Sequence, residues 1–379
     1  MTKAPRYSII LAAGKGTRMQ SASCHKVCFP VDGVPAINRA ITVYRQCGIA
    51  RHIVVVGSLA GQVVETVGKV FSNVQFTYQA EQAGTADAAR TGLRALAEAS
   101  DSTDVLLVAG DRIIEPTVLE RLFDLFYSEE CALALITTPG SEDSSQARIL
   151  ETPDGTPLAI VETADISQRQ VFADLRERAA RESLTTAEVR SLIRDGFARR
   201  GVQPSDTKLR AAFGALWEAV TRNEPEPADW LSLAPERLGR FEFGLPGGSL
   251  WRQSPNEVRR IRWMNNSVYV LKVGALRHAL SRLDRDNAQK EEYLSAILEI
   301  LARDKDRFRI RALRVDRPDY VLGYNDPAEL LEVESILRAR KQGRQACELE
   351  EGPSYRPVAA WRAEFEAATD GSNSGASAL

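Results

Sequence analysis

A mostly parallel, doubly wound α/β sheet carrying an inserted helical subdomain is the fold this sequence predicts, and three observations predict it. Short apolar runs alternate with amphipathic stretches of helical period through residues 6–150, as in strands buried between covering helices. The first run breaks abruptly into a loop rich in glycine and cations. Residues 167–260 then change character, to helical patterns joined by proline-rich connections.

The elements follow in order. Residues 7–13 read as a buried strand, and 53–57, 74–78, 105–109 and 132–136 as its neighbours. Helical stretches lie between them at Ala36–Gln46, 61–70, 86–99 and 115–127, with Pro35 and Pro116 suited to first turns. The first strand ends in Gly14-Lys15-Gly16-Thr17-Arg18. A glycine-rich loop after a buried parallel strand presents backbone N–H groups where open α/β sheets bind phosphorylated ligands. Lys15 and Arg18 supply the charge a polyphosphate needs. The dinucleotide fingerprint fails, because Met19 stands where its third glycine belongs, and the Walker spacing is absent. A plain tight turn is the alternative.

Two further loops lie at the same sheet edge. Asp111 follows the 105–109 strand through Gly110; it could hold Mg²⁺ against phosphates or cap a short helix. Gln79 to Thr85 is a polar loop whose amides could read a base edge. Cys24, His25 and Cys28 lack the second ligand cluster a zinc site requires.

Bulk composition bounds the function. The chain has 379 residues, 44% hydrophobic and 26% charged, with a net charge of −2, which argues against nucleic acid as partner. No apolar run reaches membrane-spanning length and no signal peptide is recognisable. Five scattered cysteines suit reduced thiols and a cytoplasmic location.

Leu11-Ala-Ala-Gly-Lys-Gly-Thr-Arg-Met19, Lys26-Val-Cys-Phe-Pro30, Glu81-Gln-Ala-Gly-Thr85 and Gly110-Asp111 together resemble the sugar-phosphate nucleotidylyltransferase family. The likeness is strongest to the uridylyltransferase (UDP-N-acetylglucosamine pyrophosphorylase) domain that bacteria fuse to an acetyltransferase. It continues through Arg148-Ile-Leu, Ile160-Val-Glu162, Met264-Asn-Asn-Ser-Val-Tyr269, Asn287-Ala-Gln-Lys-Glu-Glu-Tyr293 and Gly323-Tyr-Asn325. The resemblance implies a Rossmann-like, GT-A-like nucleotide-diphospho-sugar transferase fold. It also implies transfer from an NTP, UTP before CTP, to a sugar-1-phosphate, N-acetylglucosamine-1-phosphate before other acceptors. Lys15, Arg18 and Lys26 would grip the triphosphate. Leu11, Ala12, Ala13, Gly14, Gly16 and Thr17, with Gln79, Gln82, Gly84 and Thr85, would bind the nucleotide. Ala147, Glu162, Asn265 and Tyr293 would meet the sugar, and Asp111 and Asn325 would bind Mg²⁺. A non-catalytic nucleotide-sugar sensor is the reading from another class.

This sequence departs from the family at Ala147 and Ser267, where it has glycine, and at Arg112, where an apolar or small residue is expected. It also carries roughly ninety additional residues, far beyond usual loop length. The expected organisation is 1–166 for nucleotide, 167–260 as the insertion, 261–342 for sugar and metal, and 343–379 as a short helix and disordered tail. Within the insertion, Thr185 and Glu188 form a capping-box pattern ahead of a helix that Gly201 ends. Ser205 caps a helix running through Val220. Phe197, Phe213, Trp217 and Trp230 read as its core, and the insertion offers a surface for a protein partner. Pro327–Lys341 is a long helix capped by Asp326. No hexapeptide repeat follows it, so acetyltransferase activity and the associated trimer are not expected.

Overall fold

Alternate residues of the central strands serve two different cores. Ile9, Ile53, Val55, Val105 and Leu107 face one, whereas Ile10, Val54, Val56, Leu106 and Val108 face the other. Continuous β-branched and apolar runs of this kind are stable only with helices on both faces. A computed structural model describes residues 4–198, 204–222, 230–233, 236–245 and 249–341. The proline-rich connections at 224–227 and 246–248 and the expectation for residues 343–379 lie outside these, whereas the helix expected to run to Gly201 already ends at Phe197, where Ala198 turns extended.

The nine-stranded sheet runs Pro157–Val161, Arg148–Glu151, Trp263–Lys272, Asp104–Ala109, Tyr7–Ala12, Arg51–Val56, Val74–Tyr78. Tyr7–Ala12 pairs in parallel with both of its neighbours, and Arg51–Val56 pairs in parallel with Val74–Tyr78. Trp263–Lys272 runs antiparallel to Asp104–Ala109 and to Leu133–Pro139, and Ile310–Arg314 returns parallel beside the latter. The sheet is thus mixed but mostly parallel, the predicted class. Arg148–Glu151 and Pro157–Val161 form an antiparallel pair.

Predicted helices form at Ala36–Gln46, Ala60–Gly68, Thr85–Arg94 and Pro116–Ser128. Pro116 occupies the first turn, but Pro35 stands one place earlier, as the N-cap residue. The carboxyl ends of the parallel strands bring residues 13–16, 79–85 and 110–111 to one edge, where such sheets bind ligands.

Thr163–Ala179, Thr186–Phe197, Asp206–Phe213 and Ala215–Thr221 enclose an apolar core of their own, with Phe197, Phe213, Trp217 and Trp230 buried in it. The Thr185–Glu188 capping box is present in full. The single helix expected from Ser205 to Val220 is instead two, broken at Gly214, where φ is 50° and ψ −125°. Helical spacing survives the break because both pieces turn their apolar sides to the same core.

Gly92 lies where Thr85–Arg94 meets the sheet, and a Cβ there would stand 2.5 Å from Ile9 Cγ2 and 2.9 Å from Val55 Cγ2. Both neighbours are stiff, β-branched side chains on central strands. Gly92→Ala is therefore expected to destabilise the fold by about 1–3 kcal/mol through overpacking, outweighing alanine's better helix propensity. A urea midpoint at or above that of the unaltered chain would show that the helix is not seated so closely.

Candidate active site

The loop after the first strand is shaped by two glycines with different duties. Gly16 has φ 58°, in the left-handed region, and a Cβ on it would come 3.0 Å from Lys26 Cβ. Gly14 has nothing within 4 Å of a Cβ position, so its bareness leaves space for a ligand rather than for protein. Met19 roots the loop in a small core with Phe29 and Tyr324. The loop is stitched to its neighbours by Gly110 N–H donating to Leu11 O at 2.9 Å and Gln82 Nε2 donating to Ala13 O at 3.1 Å.

Lys26, Asp111, Asn325 and Arg18 converge beside this loop. Lys26 Nζ pairs with Asp111 Oδ2 and donates to Asn325 Oδ1 at 3.1 Å, an oxygen that also accepts from Arg18 Nη2 at 3.1 Å. Tyr324 supports Lys26 twice, donating its hydroxyl to Lys26 O at 2.6 Å and lying under the ammonium at 5.5 Å. Burial opposes ionisation of Asp111, but Lys26 and Arg112 beside it outweigh that and hold its carboxyl at about 2. Burial likewise lowers the Lys26 pKa, with Asp111 acting against it. Asp111 thus remains a carboxylate at any physiological pH.

Its second oxygen, Oδ1, is buried and accepts no hydrogen bond, with Arg112 Nε 3.7 Å away. The Arg112 side chain lies against Gly323, where a Cβ would meet Nη1 at 2.1 Å. Glu329 Oε2 accepts from Asn325 N at 2.6 Å and Nδ2 at 3.1 Å, which turns the amide oxygen towards Lys26.

A cavity of about 580 Å³ opens from this cluster. Of the predicted site residues, Leu11, Ala12, Ala13, Gly14, Gly16, Arg18, Lys26, Gln79, Gln82, Gly84, Thr85, Asp111, Glu162, Asn265 and Tyr293 line it. Lys15, Thr17, Ala147 and Asn325 do not. Lys15 and Thr17 are exposed on the loop, and Asn325 accepts from both cations. Ala147 lies off the cavity wall: its methyl belongs to the core, and its carbonyl accepts Asn265 N–H at 2.8 Å. Gln79 spends its amino group on the loop itself, donating to Gly84 O at 3.2 Å and Asp87 Oδ2 at 2.7 Å.

Asn265 Oδ1 accepts from Ser267 N at 3.1 Å and Tyr269 Oη at 3.0 Å, which leaves its N–H groups for a ligand. Ser267 holds φ 55° and Lys290 φ 56°, a left-handed conformation that costs a side-chain-bearing residue about 1–2 kcal/mol. Ser267 stands where the resembling family has glycine, so the backbone course is kept there although the residue is not. His25, Gln289 and Glu291 also line the cavity without having been singled out for it. Glu329 was missed too; its signal was the Asp326-x-x-Glu329 pattern, read only as a helix start.

Arg18 and Lys26 make one end of the cavity cationic, and Glu162 and Asn265 make the other rich in oxygen and amide groups. An anion belongs at the first end and a hydroxyl-bearing group at the second.

The chain matches the family model of the MobA-like NTP transferase domain over residues 8–200, just over half of its length. Bifunctional protein GlmU of Exiguobacterium sp. is 33% identical over 167 residues, covering 44% of this chain and 36% of that one. Its counterpart from Mycolicibacterium gilvum is 26% identical over 337 residues, covering 88% and 49%. The chain therefore spans about a third to a half of the length of these curated relatives. Two solved structures share the fold. A Bacillus anthracis protein assigned as a glucose-1-phosphate thymidylyltransferase has a TM-score of 0.51 at 14% identity, covering 87% of this chain and 94% of its own. The inositol-1-phosphate CTP transferase of T. maritima has a TM-score of 0.50 at 12% identity, covering 91% and 99%. With half of its length in that family model and the glycine loop at the strand ends, the chain belongs to the MobA-like NTP transferase family.

Proposed function

We propose that this chain transfers a nucleotidyl group from an NTP, foremost UTP, to a sugar-1-phosphate, foremost N-acetylglucosamine-1-phosphate, releasing pyrophosphate. The observation that carries the reading is the Arg18–Lys26–Asp111–Asn325 cluster, set beside a bare Gly14 at one end of a 580 Å³ cavity. UTP and N-acetylglucosamine-1-phosphate are preferred on the resemblance and on the GlmU relatives.

In this reaction an oxygen of the acceptor phosphate bonds to the α-phosphorus as the bond to the bridging oxygen breaks. The electron pair leaves with pyrophosphate. Both partners are anions and no proton must move, so catalysis rests on positioning and on positive charge. Arg18, with Lys15 on the loop rim, holds the triphosphate. Lys26 neutralises charge at the reacting phosphate, while Glu162 and the Asn265 amide orient the sugar.

The residues present fit a divalent cation. Asp111 Oδ1 is a buried carboxylate oxygen without a hydrogen bond, and Asn325 would add its amide oxygen once Lys26 and Arg18, which donate to it here, turn to the phosphates; both are hard donors of the kind Mg²⁺ takes. Among the described residues no group of three or more His, Cys, Asp or Glu could hold a metal. Phosphates and water would therefore complete the shell, the usual arrangement for Mg²⁺ in nucleotide sites. When bound, Mg²⁺ offsets phosphate charge and aligns the reacting groups.

Ser267 and Lys290 favour a second reading within the same chemistry, a different acceptor phosphate, because both alter the sugar end and leave the phosphate end intact. Incubation with Mg²⁺, each of four NTPs and a panel of sugar phosphates, with pyrophosphate as readout, separates the two. Asp111→Asn is expected to lower turnover about 10²–10³-fold, and turnover like that of the unaltered chain would sink the metal assignment.

Arg112 competes with a cation for Asp111 Oδ1. Arg112→Val is expected to tighten Mn²⁺ binding about tenfold, removing one like charge some 4 Å from the ligand oxygen. Electron paramagnetic resonance of free Mn²⁺ measures this without turnover; unchanged or weaker binding would refute the competition.

A further inference from the structure

The helix that leads into the insertion begins at the acceptor wall itself. Glu162 is the N-cap residue of Thr163–Ala179, and Asp165 sits in that helix's first turn. Asp165 Oδ1 accepts the backbone N–H of Ala288 at 2.7 Å, across 123 residues of sequence. Ala288 is 1% exposed and belongs to the insertion's core, with Ala164, Val171 and Phe172. The next residues, Gln289, Glu291 and Tyr293, wall the cavity.

The far end of this loop is tied to the nucleotide half. Leu294 N–H donates to Thr85 Oγ1 at 3.4 Å, and Glu292 pairs with Arg90 at 2.9 Å. Between the two anchors Asn287 Oδ1 accepts from Gln289 N and Glu291 N, and Lys290 adopts φ 56°. A bend through a left-handed lysine persists only where its surroundings over-determine it. The charge-assisted bond from Asp165 supplies that constraint on the insertion side.

We propose that the Thr163–Ala179 helix, whose later turns belong to the insertion, is a fixed brace for the 287–293 loop, and that Asp165 in its first turn is a positioning residue for the acceptor. Its carboxylate holds Ala288 and thereby sets where Gln289, Glu291 and Tyr293 meet the acceptor's sugar. The inference rests on the nucleotidyl-transfer reading only for what the acceptor is; the brace itself is a property of the fold.

The test compares the full chain with Asp165→Ala and Asp165→Asn, by hydrogen exchange over 287–293 and by steady-state kinetics with UTP and N-acetylglucosamine-1-phosphate. In Asp165→Ala, exchange over the loop and KM for the sugar phosphate are each expected to rise about tenfold for one charge-assisted hydrogen bond lost. KM for UTP and kcat should hold within about twofold, since the phosphate end has its own anchors. Asp165→Asn keeps an oxygen acceptor for Ala288 N–H but not its charge, and is expected to fall between Asp165→Ala and the unaltered chain. Unchanged exchange in Asp165→Ala, or an equal rise in both KM values, would overturn the proposal. Failure of the unaltered chain to turn over any sugar phosphate would remove the proposed reaction, and the exchange comparison would still decide whether Asp165 braces the loop.

Discussion

The buried ion pair between Lys26 and Asp111 is the constraint on which the site depends. Neither charge could be buried there alone, because an unpaired ion in such surroundings costs several kcal/mol. The pair is also a point of assembly. Lys26 comes from the turn after the glycine loop, Asp111 from the end of a central strand, and Asn325 from the approach to the Pro327–Lys341 helix. Three segments up to 299 residues apart in sequence are held at one point. Glu329 fixes the Asn325 amide from the first turn of that helix. The helix therefore belongs to the site although it touches no wall of the cavity. The same pairing means that the cations are already neutralised before an anion arrives. A triphosphate exchanges partners with Asp111 and Asn325 rather than entering a bare positive field.

Much of the nucleotide half was legible in the sequence, because its signals are local. A buried run, two glycines and two cations mark the first loop, and a carboxylate one residue beyond a buried strand marks Asp111. What could not be read is what depends on partners distant in the chain or on backbone angles. Nothing around Ala147 reveals that its methyl faces the core while its carbonyl holds Asn265. Helical periodicity runs unbroken across Gly214 because both helices face one core, so the pattern conceals the break. Arg112 was visible as an oddity, but its seat on Gly323 joins two motifs that the chain separates widely. Lys15 and Thr17 belong to the right loop, yet only the fold shows that they are exposed off the cavity wall.

The two ends of the cavity are built on different principles. The phosphate end is made of strand ends and a tight loop, where the parallel sheet fixes backbone positions and leaves little freedom. The acceptor end is made of a bulged strand at Asn265–Tyr269, a helix start at Glu162 and a bent loop at 287–293. None of these is held by sheet hydrogen bonding alone. That end also carries the insertion and two non-glycine residues in left-handed conformations, each costing about 1 kcal/mol or more. Strain of this kind is retained where a particular backbone course matters more than local stability. Ser267 turns its N–H onto Asn265, and Lys290 carries the loop round from Ala288 to Tyr293, so each serves the course of the wall rather than a contact of its own. A braced wall suits a site that must tell one phosphorylated acceptor from another, since selectivity among similar hydroxyl patterns requires polar groups that do not yield.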